Sequence, residues 1–502
     1  MIKRLLIANR GEIAVRIVRA CRELGVESVA VYSDADARSP HVAAADRAVP
    51  IGPAAAAESY LSISRLIDAA RSTGAEAIHP GYGFLSENAS FAAACEQAGI
   101  VFVGPPSRVI AQMGSKIDAR RLMQDAGVPV VPGETPADQS DTGVRRAIDR
   151  VGFPALVKAS AGGGGKGMRR VHEADEIAGA IGAARREADA AFGDGTLYVE
   201  RLMEHPRHVE VQIFADDLGH VVHLFERECS VQRRHQKVIE ESPSPSLTPA
   251  LRKRMTDAAV HAAKAASYRN AGTVEFLVDL SGGSGDRTSF YFLEMNTRLQ
   301  VEHPVTEQVA GVDLVRAQLL VASGEPLPWT QDSLVQRGHA IEARIYAEDP
   351  SQGFLPQAGR LLLYREPRLP GVRVDAGVAE GADVSIHYDP MLAKVIASGE
   401  TRDQAISRLA SALRAYPILG IRTNISFLLR ILEHPRFRSG AVDTGFLDDE
   451  GASLAEASAN GEVPAPVGAA VAAHGESIAP FASAPQSTNV WDPWLRLREW
   501  RG

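Results

Sequence analysis

The chain has 502 residues, so at roughly 150 residues per domain it is expected to form about three units rather than one. Hydrophobic residues make up 45% and charged residues 23% of the chain, which is typical of a globular protein and excludes disorder of the whole chain. The formal net charge of −8 argues against a nucleic-acid-binding surface, which would need many Lys and Arg side chains facing phosphates.

The sequence lacks the signals of a membrane or secreted protein. No apolar run approaches the roughly 18 residues that a membrane span needs, and the apolar residues 5–8 are too short for a secretory signal. Cys21, Cys95 and Cys229 are too few and too widely spaced for a disulfide framework or a paired-cysteine metal site. We therefore expect a cytoplasmic protein with reduced thiols and no membrane or nucleic-acid partner.

The first part of the chain alternates short apolar runs with helical patterns, which predicts an α/β domain with a parallel, Rossmann-like sheet. The elements predicted in chain order are a strand at 4–8, a helix at 11–24, and strands at 28–32, 77–79 and 100–103. Ligands of such sheets approach the carboxyl ends of the strands, where residues 9–12 and 79–83 are expected.

A predicted helix at 107–126 leads into a second unit with strand and hairpin signals, which ends near residue 330. The third unit is predicted as mixed α+β, with strands at 339–347, 359–364 and 393–398 and a helix at 402–415. Residues 448–490 are rich in Ala, Ser, Pro and Gly, as linkers are, and three of the four tryptophans follow at 491, 494 and 500. The expected boundaries are 1–113, 114–330, 331–447 and a linker-like tail at 448–502.

The glycine run 162–165 lies between two predicted strands, 155–158 and 168–171, and so at the tip of a hairpin. Gly167 follows Lys166 where a P-loop would have Ser or Thr, so a P-loop is excluded. The run is interpreted as a mobile flap whose N–H groups close over phosphates, or alternatively as a flexible turn only.

A polar row with a strict period of two begins at Glu294, after a predicted strand at 273–278. Its members are Glu294, Asn296, Arg298, Gln300 and Glu302. If this segment is extended, all five side chains share one face while the intervening apolar residues point to the core. A solvated strand face is the alternative interpretation.

A hairpin that closes about residues 284 and 285 would place Glu275 directly opposite Glu294, with Cβ atoms about 5 Å apart. Oxygen ligands from Glu275, Glu294 and Asn296 suit Mg²⁺ or Mn²⁺. The alternative is a pair of carboxyl groups that share one proton.

Residues 232–237 concentrate cationic donors in an acidic protein, although such a run is often only a solvated surface. Lys116 and Lys158 lie where a point charge could meet phosphate, and Cys229 is interpreted as structural.

Several long motifs, in this order, resemble the biotin carboxylase component of biotin-dependent acyl-CoA carboxylases, an ATP-grasp family. The resemblance covers residues 1 to about 447 and looks closest to α subunits that act on propionyl-, methylcrotonyl- or related acyl-CoA. The motifs that carry it are residues 7–14, 79–88, 158–168, 207–210, 232–237, 294–304 and 342–345. It implies an N-terminal biotin carboxylase domain, an ATP-grasp domain with a flap at about 131–203, and a mixed α+β C-terminal domain.

The resemblance also implies roles for individual residues. ATP contacts are implied at Lys116, Lys158, Gly164, Gly165 and His208, an adenine-binding hinge at Glu200, Arg201, Leu202 and Met203, and a further nucleotide contact at His235. Metal ligands are implied at Glu275, Glu294 and Asn296, so that these carboxylates also belong to the ATP site. The bicarbonate pocket comprises Lys237, Arg298, Gln300 and Val301, with Glu302 as the base, Arg344 on the ureido oxygen of biotin, and Tyr82 lining the biotin site.

The implied reaction is ATP-dependent carboxylation of biotin with bicarbonate through carboxyphosphate. No Met-Lys-Met sequence occurs in the chain, so the biotin is expected on a carrier protein or domain outside it, with a carboxyltransferase subunit as the second partner. The family also implies a homodimer. The alternatives are another ATP-grasp ligase that activates a carboxylic acid, or a non-catalytic nucleotide-binding assembly subunit; the intact set of metal carboxylates and Arg298 argues against the second.

Overall fold

A computed structural model describes residues 1–160, 167–234, 236–280, 285 and 288–455. These residues belong to one unit, Met1–Ala455. The predicted glycine flap at 162–165, His235, and most of the predicted linker with its tryptophans lie outside the described residues. No helix among the described residues combines the length and the apolar composition needed to cross a membrane.

The N-terminal sheet confirms the predicted parallel arrangement, with strand order β3-β2-β1-β4-β5. Its strands are β1 (Arg4–Ile7), β2 (Glu27–Tyr32), β3 (Arg47–Pro50), β4 (Ala77–His79) and β5 (Val101–Phe102). Its helices are α1 (Gly11–Leu24), α2 (Pro40–Ala44), α3 (Ile63–Thr73), α4 (Ala89–Gln97) and α5 (Ser107–Gly114). The sequence did not predict β3, because this edge strand is largely exposed and carries no apolar run.

The carboxyl ends of β1 and β4 meet as predicted. Asn9 follows β1, and its side-chain amide donates to the carbonyls of Pro80 at 2.7 Å and Tyr82 at 2.8 Å. Gly81 has φ +64°, and a Cβ atom there would lie 2.8 Å from the Asn9 amide nitrogen. Only glycine therefore allows this turn to approach Asn9 so closely.

The predicted helix at 107–126 is in fact two helices, since α6 (Lys116–Asp125) begins after an extended residue, Ser115, whose hydroxyl caps it. A four-stranded antiparallel sheet follows, with order β6-β9-β7-β8. Its elements are β6 (Gly133–Glu134), α7 (Asp141–Val151), β7 (Ala155–Ala159), β8 (Met168–Val171), α8 (Ile177–Phe192) and β9 (Leu197–Arg201). Strands β7 and β8 pair from Ala155↔Val171 to Lys158↔Met168, which confirms the two arms of the predicted hairpin.

The large central sheet begins in the second predicted unit. Its strands there are β10 (Arg207–Ala215), β11 (Val221–Arg233), β12 (Gln236–Ser242), β13 (Asn270–Asp279) and β14 (Ser289–Asn296). The helices packed with them are α9 (Pro249–Ala265), α10 (His303–Ala310) and α11 (Leu314–Ala322). Val211, Met255 and Phe276 are buried in the core between this sheet and α9.

The remaining strands are β15 (His339–Tyr346), β16 (Glu348–Asp349), β17 (Leu355–Pro356), β18 (Gly359–Arg360), β19 (Leu363–Tyr364), β20 (Val372–Ala376), β21 (Asp383–Val384), β22 (Met391–Gly399) and β23 (Ile418–Leu419). The remaining helices are α12 (Arg402–Arg414), α13 (Ile425–Glu433), α14 (Pro435–Arg438) and α15 (Phe446–Ala455). Strands β15, β22 and β20 complete an eight-stranded sheet of order β14-β13-β10-β11-β12-β15-β22-β20. The second and third predicted units therefore share one sheet.

Two predictions for the C-terminal unit are wrong in part. The strand expected at 359–364 is divided into β18 and β19, because the chain changes partner: the amide of Leu361 donates to Ala382 and that of Leu362 to Leu419. Residues 448–455, expected in the linker, belong to helix α15, in which Leu454 is buried and its carbonyl accepts from Arg430.

Gly377 offers a test of the close packing between α1 and the segment after β20. A Cβ atom at Gly377 would lie 2.5 Å from the backbone nitrogen of Glu12 and 2.8 Å from two backbone atoms of Gly11, none of which can move as a flexible side chain would. Gly377→Ala should lower the free energy of unfolding by about 1–3 kcal/mol, measured by urea titration. The matched control is Gly179→Ala in α8, where a Cβ atom meets nothing within 4 Å, and it should be neutral or stabilise. Equal effects of the two substitutions would contradict this packing.

Candidate active site

Three acidic side chains lie side by side across β10, β13 and β14. Glu210 is opposite Glu275, and Glu275 is opposite Glu294, as the hairpin argument predicted for the second pair. A bulge between Glu275 and Phe276 shifts the register of the remaining pairs toward the loop by one residue. Glu210 lies in the 207–210 motif, but no local pattern indicated a role for it.

Lys237 on β12 contacts two of these carboxylates, Glu210 and Glu275, and also Glu302. Its ammonium lies 2.5 Å from Glu210, 3.0 Å from Glu275 and 2.6 Å from Glu302. Burial alone would lower the pKa of Lys237, but the surrounding negative groups outweigh burial and hold that pKa well above its usual value. The cation is therefore permanently charged and anchors three carboxylates.

Glu275 receives a second positive contact from His208 on β10, whose Nε2 atom lies 2.8 Å from the carboxylate. Burial would raise the pKa of Glu275, but the charges of Lys237 and His208 outweigh burial and hold that pKa well below its usual range. The Glu275 charge in turn raises the pKa of His208, against the effect of burial.

The predicted extended row does not continue beyond Asn296, where β14 ends. Residues 297–302 form a turn that leads into α10, because Pro304 near the start of that helix favours a helical start over a strand. The turn nevertheless keeps the polar side chains together. Arg298 donates to Gln300 Oε1 at 3.1 Å and to Asn296 Oδ1 at 3.3 Å, and Gln300 donates to Glu275 at 3.1 Å.

Arg298 is oriented by Glu87 of the N-terminal domain, for which the sequence indicated no role. Its Nε donates to Glu87 at 2.8 Å, and the backbone N–H of Thr297 donates to the same carboxylate at 3.1 Å. Glu87 belongs to the 79–88 motif, but the sequence does not indicate that its partner is Arg298.

Glu302 is fully buried between two cations. Its Oε1 accepts from Lys237, and its Oε2 accepts from Arg344 at 3.0 Å; Arg344 also lies 2.5 Å from Glu240. Burial would raise the pKa of Glu302, but Lys237, Arg344 and Arg227 outweigh burial and hold that pKa well below its usual value. Cys229 is buried with its thiol 4.0 Å from Glu302, and burial raises the pKa of this thiol, so it stays neutral.

One of the two lysines predicted to bind nucleotide, Lys116, lines a cavity of about 440 Å³, and the other, Lys158, is paired with Glu200 in the cavity wall. Lys158 on β7 forms a 2.5 Å ion pair with Glu200, which also accepts from Arg120 at 2.8 Å. Lys116 starts α6, and burial lowers its pKa. The residues that line the cavity include Glu87, Lys116, Arg120, Tyr198, Glu200, Glu294, Asn296 and Arg298.

The remaining residues predicted to bind biotin, bicarbonate or adenine lie in three different parts of the structure. Tyr82 donates to Glu12 at the edge of the N-terminal sheet, and the carbonyl of Val301 accepts from Lys394 at 2.6 Å. Arg201 ends β9 with an exposed side chain, and Leu202 and Met203 follow it, half-buried. Gly164, Gly165 and His235 lie outside the described residues.

Glu275, Glu294 and Asn296 fit a hard divalent cation. They offer side-chain oxygens from adjacent positions of a strand pair, and burial together with the nearby charge of Glu275 raises the pKa of Glu294. The side-chain nitrogen of Asn296 is buried without a hydrogen-bond partner. A cation between the carboxylates would relieve their repulsion.

Lys237 provides a stability test of this electrostatic centre. Lys237→Met should remove the cation that three buried carboxylates share, which leaves each of them with only one other basic partner. This loss of compensating charge should cost about 3–5 kcal/mol of unfolding free energy at pH 8. Without the lysine, burial and repulsion raise the carboxyl pKa values above their unfolded values of about 4.3, so the variant gains stability as the pH falls through those raised values. The wild type instead loses stability at acidic pH, since its Glu275 and Glu302 pKa values are depressed.

The deficit of the variant should therefore shrink between pH 8 and pH 5, which urea titrations at both pH values can measure. Lys253→Met, at an exposed lysine paired with Asp257, is the control and should have little effect. A deficit that is independent of pH would argue against carboxylate repulsion as its cause.

Comparison with known proteins gives consistent matches along the described chain. Residues 1–110 match the biotin carboxylase N-terminal domain, residues 115–330 the ATP-binding domain of the carbamoyl-phosphate synthase L chain, and residues 342–449 the biotin carboxylase C-terminal domain. A biotin carboxylase of Halalkalibacterium halodurans is 52% identical over 447 residues, which cover 89% of this chain and 97% of that protein.

The α subunit of mouse mitochondrial methylcrotonoyl-CoA carboxylase is 51% identical over 447 residues, and the match spans 89% of this chain but 62% of that protein. Among solved structures, the biotin carboxylase domain dimer of Hydrogenobacter thermophilus 2-oxoglutarate carboxylase, in complex with MgADP, ADP and bicarbonate, is 42% identical with a TM-score of 0.86, over 91% of this chain and 99% of that chain. A Campylobacter jejuni biotin carboxylase complex is 44% identical with a TM-score of 0.86, over 89% and 99%. With the three domains matched in order and a full-length relative at this identity, the chain belongs to the biotin carboxylase family.

Proposed function

We propose that this chain is an ATP-dependent ligase that carboxylates carrier-bound biotin with bicarbonate, the first half-reaction of an acyl-CoA carboxylase. The observation that carries the proposal is the convergence of Lys237, Arg298, Gln300 and Glu302 beside the cavity that contains Lys116. Two cations, an amide and a buried carboxylate are the groups needed to hold a small oxyanion and to remove its proton.

The first step is formation of carboxyphosphate. Bicarbonate held by Lys237, Arg298 and Gln300 loses its proton to Glu302, and its oxygen attacks the γ-phosphorus of ATP while ADP leaves. Glu302 is ionised in the free site because Lys237 and Arg344 stabilise its charge. An anion bound to Lys237 and Arg298 shares their positive charge, so Glu302 becomes more basic when the substrate is present.

In the second step carboxyphosphate breaks down to CO₂ and phosphate, and the phosphate removes the N1 proton of biotin. The biotin nitrogen then attacks CO₂, which forms carboxybiotin. Arg344 and Arg298 stabilise the enolate form of biotin, with Arg344 on the ureido oxygen and Tyr82 against the ring. Arg344 is preorganised for this role because Glu240 and Glu302 hold its guanidinium from two sides.

Glu275, Glu294 and Asn296 would hold Mg²⁺ or Mn²⁺, which neutralises charge on the ATP phosphates when bound. Lys116, Lys158 and His208 are proposed to contact ATP, with the adenine at residues 200–203. The close ion pair of Lys158 with Glu200 keeps this lysine charged in a buried setting.

The partners follow from the same family. The chain spans about 60% of the length of the methylcrotonoyl-CoA carboxylase α subunits that it matches, so the activity of the complete carboxylase is itself part of the proposal. We propose a biotin carboxyl carrier protein or domain and a carboxyltransferase as partners. The dimer named for the Hydrogenobacter relative supports a homodimer here.

The proposed division of labour between Glu302 and Arg344 can be tested by measuring phosphate release and biotin carboxylation in parallel. Glu302→Gln should keep ATP binding but lose bicarbonate-dependent ATP cleavage by ~10²-fold or more, within the usual contribution of a general base. Arg344→Ala should lose biotin carboxylation more than ATP cleavage. Normal phosphate release in the first variant, or equal losses of both activities in the second, would refute this assignment.

The proposed metal ligands give a second test. Glu275→Gln and Glu294→Gln should each reduce turnover by at least ~10²-fold, equivalent to about 2.7 kcal/mol of transition-state stabilisation. Removal of divalent cations with a chelator should abolish wild-type ATP cleavage, and Mg²⁺ should restore it. Wild-type turnover of either variant at saturating Mg²⁺ would show that the metal is held elsewhere.

A further inference from the structure

Lys394 on β22 is a lysine with no exposed surface, and none of the roles described so far uses it. Burying an ammonium group is costly unless its donors are satisfied. Its Nζ lies 3.1 Å from the carboxylate of Glu12 and donates to the carbonyl of Val301 at 2.6 Å. Lys394 therefore connects the third sequence unit to residues of the first and the second.

Glu12 is the other half of this buried pair. It lies in the first turn of α1, and its Oε1 atom accepts the hydroxyl proton of Tyr82 as well as facing Lys394. Its Oε2 atom is buried without a hydrogen-bond partner. Burial raises the pKa of Glu12 to about 7, and the charge of Lys394 opposes that rise. Lys394 and the Tyr82 hydroxyl are thus the groups that stabilise this carboxylate in its buried position.

Both ends of this chain of contacts reach the proposed reaction site. Val301 stands between Gln300 and Glu302, in the turn that replaces the predicted strand, so its carbonyl fixes the backbone that presents both side chains. On the sheet, Lys394 lies directly opposite Arg344 in the register of β15 and β22. At the other end, Tyr82 is the residue proposed to line the biotin site.

We propose that Glu12 and Lys394 are positioning residues, which tie the backbone of the bicarbonate turn at Val301 to Tyr82 through one buried ion pair. This inference rests on the proposed function, which identifies the turn as part of the bicarbonate site and Tyr82 as part of the biotin site. Lys394 sets the position of Gln300 and Glu302 through the Val301 carbonyl, and Glu12 sets the ring position of Tyr82 through its hydroxyl. Neither residue touches the reacting atoms.

The first test is kinetic. Lys394→Met removes the donor to Val301 while keeping the length and apolar stem of the side chain. The KM for bicarbonate should rise by about tenfold, equivalent to about 1.4 kcal/mol, whereas the KM for ATP should change by less than about twofold, since no ATP contact is altered. Glu12→Gln should raise the KM for biotin more than that for bicarbonate. General destabilisation would reduce the amount of active enzyme without changing the KM for one substrate more than for another. Lys253→Met is the matched control for removing a lysine charge.

The second test does not require activity. The backbone N–H groups of residues 300–303 and 305 should exchange at least ~10-fold faster in Lys394→Met than in the wild type. Among them are His303 N–H, which donates to the Gln300 carbonyl, and Val305 N–H, which donates to the Glu302 carbonyl. Exchange in β1 and β2 should be unchanged. If Lys394→Met does not fold, Glu12→Gln carries both measurements.

The inference would be overturned if Lys394→Met had the KM for bicarbonate and the turn exchange of the wild type, or if Glu12→Gln had the wild-type KM for biotin. If bicarbonate did not stimulate ATP cleavage by the wild-type protein, the proposed function would be overturned instead. Faster exchange in the turn of Lys394→Met would still show that Lys394 holds the backbone at Val301. The two failures are therefore distinguishable.

Discussion

The structure around the proposed site depends on one constraint: several carboxylates are held close together in the protein interior and need cations among them. Lys237 contacts Glu210, Glu275 and Glu302, and Arg227, with no exposed side-chain surface, pairs with Glu210 from the other side. Each buried charge is stabilised by more than one opposite charge, so removal of one ion weakens the charge compensation of all its partners. These ion pairs also preorganise the side chains, because the groups need little reorientation when an anionic substrate binds.

The same cations would allow Glu302 to act as the proposed base while the neighbouring carboxylates do not. Glu302 has two cationic partners, Lys237 and Arg344. In the proposed mechanism an anionic substrate or biotin would engage these cations, and the basicity of Glu302 would rise as the substrate binds. Glu275 keeps His208 as an additional partner, which suits a metal ligand that must stay ionised. Differences in partners therefore support the different roles proposed for residues of similar type and burial.

The arrangement also requires the three sequence units to be held together. Glu87 reaches Arg298 from the first unit, Lys394 reaches Val301 from the third, and the central sheet continues from β12 directly into β15. No unit contains the complete site. Motion of one unit relative to another would break the contacts that orient Arg298 and Glu302, which makes correct assembly of the units a condition of the chemistry.

The amino-acid sequence by itself determined the parallel N-terminal sheet, because alternating apolar runs and helical patterns are local signals. It also determined the hairpin arms around the glycine run and the pairing of Glu275 with Glu294, because each of these pairs joins strands that follow one another in the chain. It also determined which residue types are available for the chemistry, through motifs that resemble a known family. It predicted a strand where the segment from Arg298 to Glu302 turns, since alternation of polar and apolar residues fits an extended chain as well as this turn. Only the tertiary structure decided the partners of Glu12, Glu87, Glu210 and Lys394: these contacts join residues far apart in the chain, and no local pattern records which distant charge will neutralise a buried one.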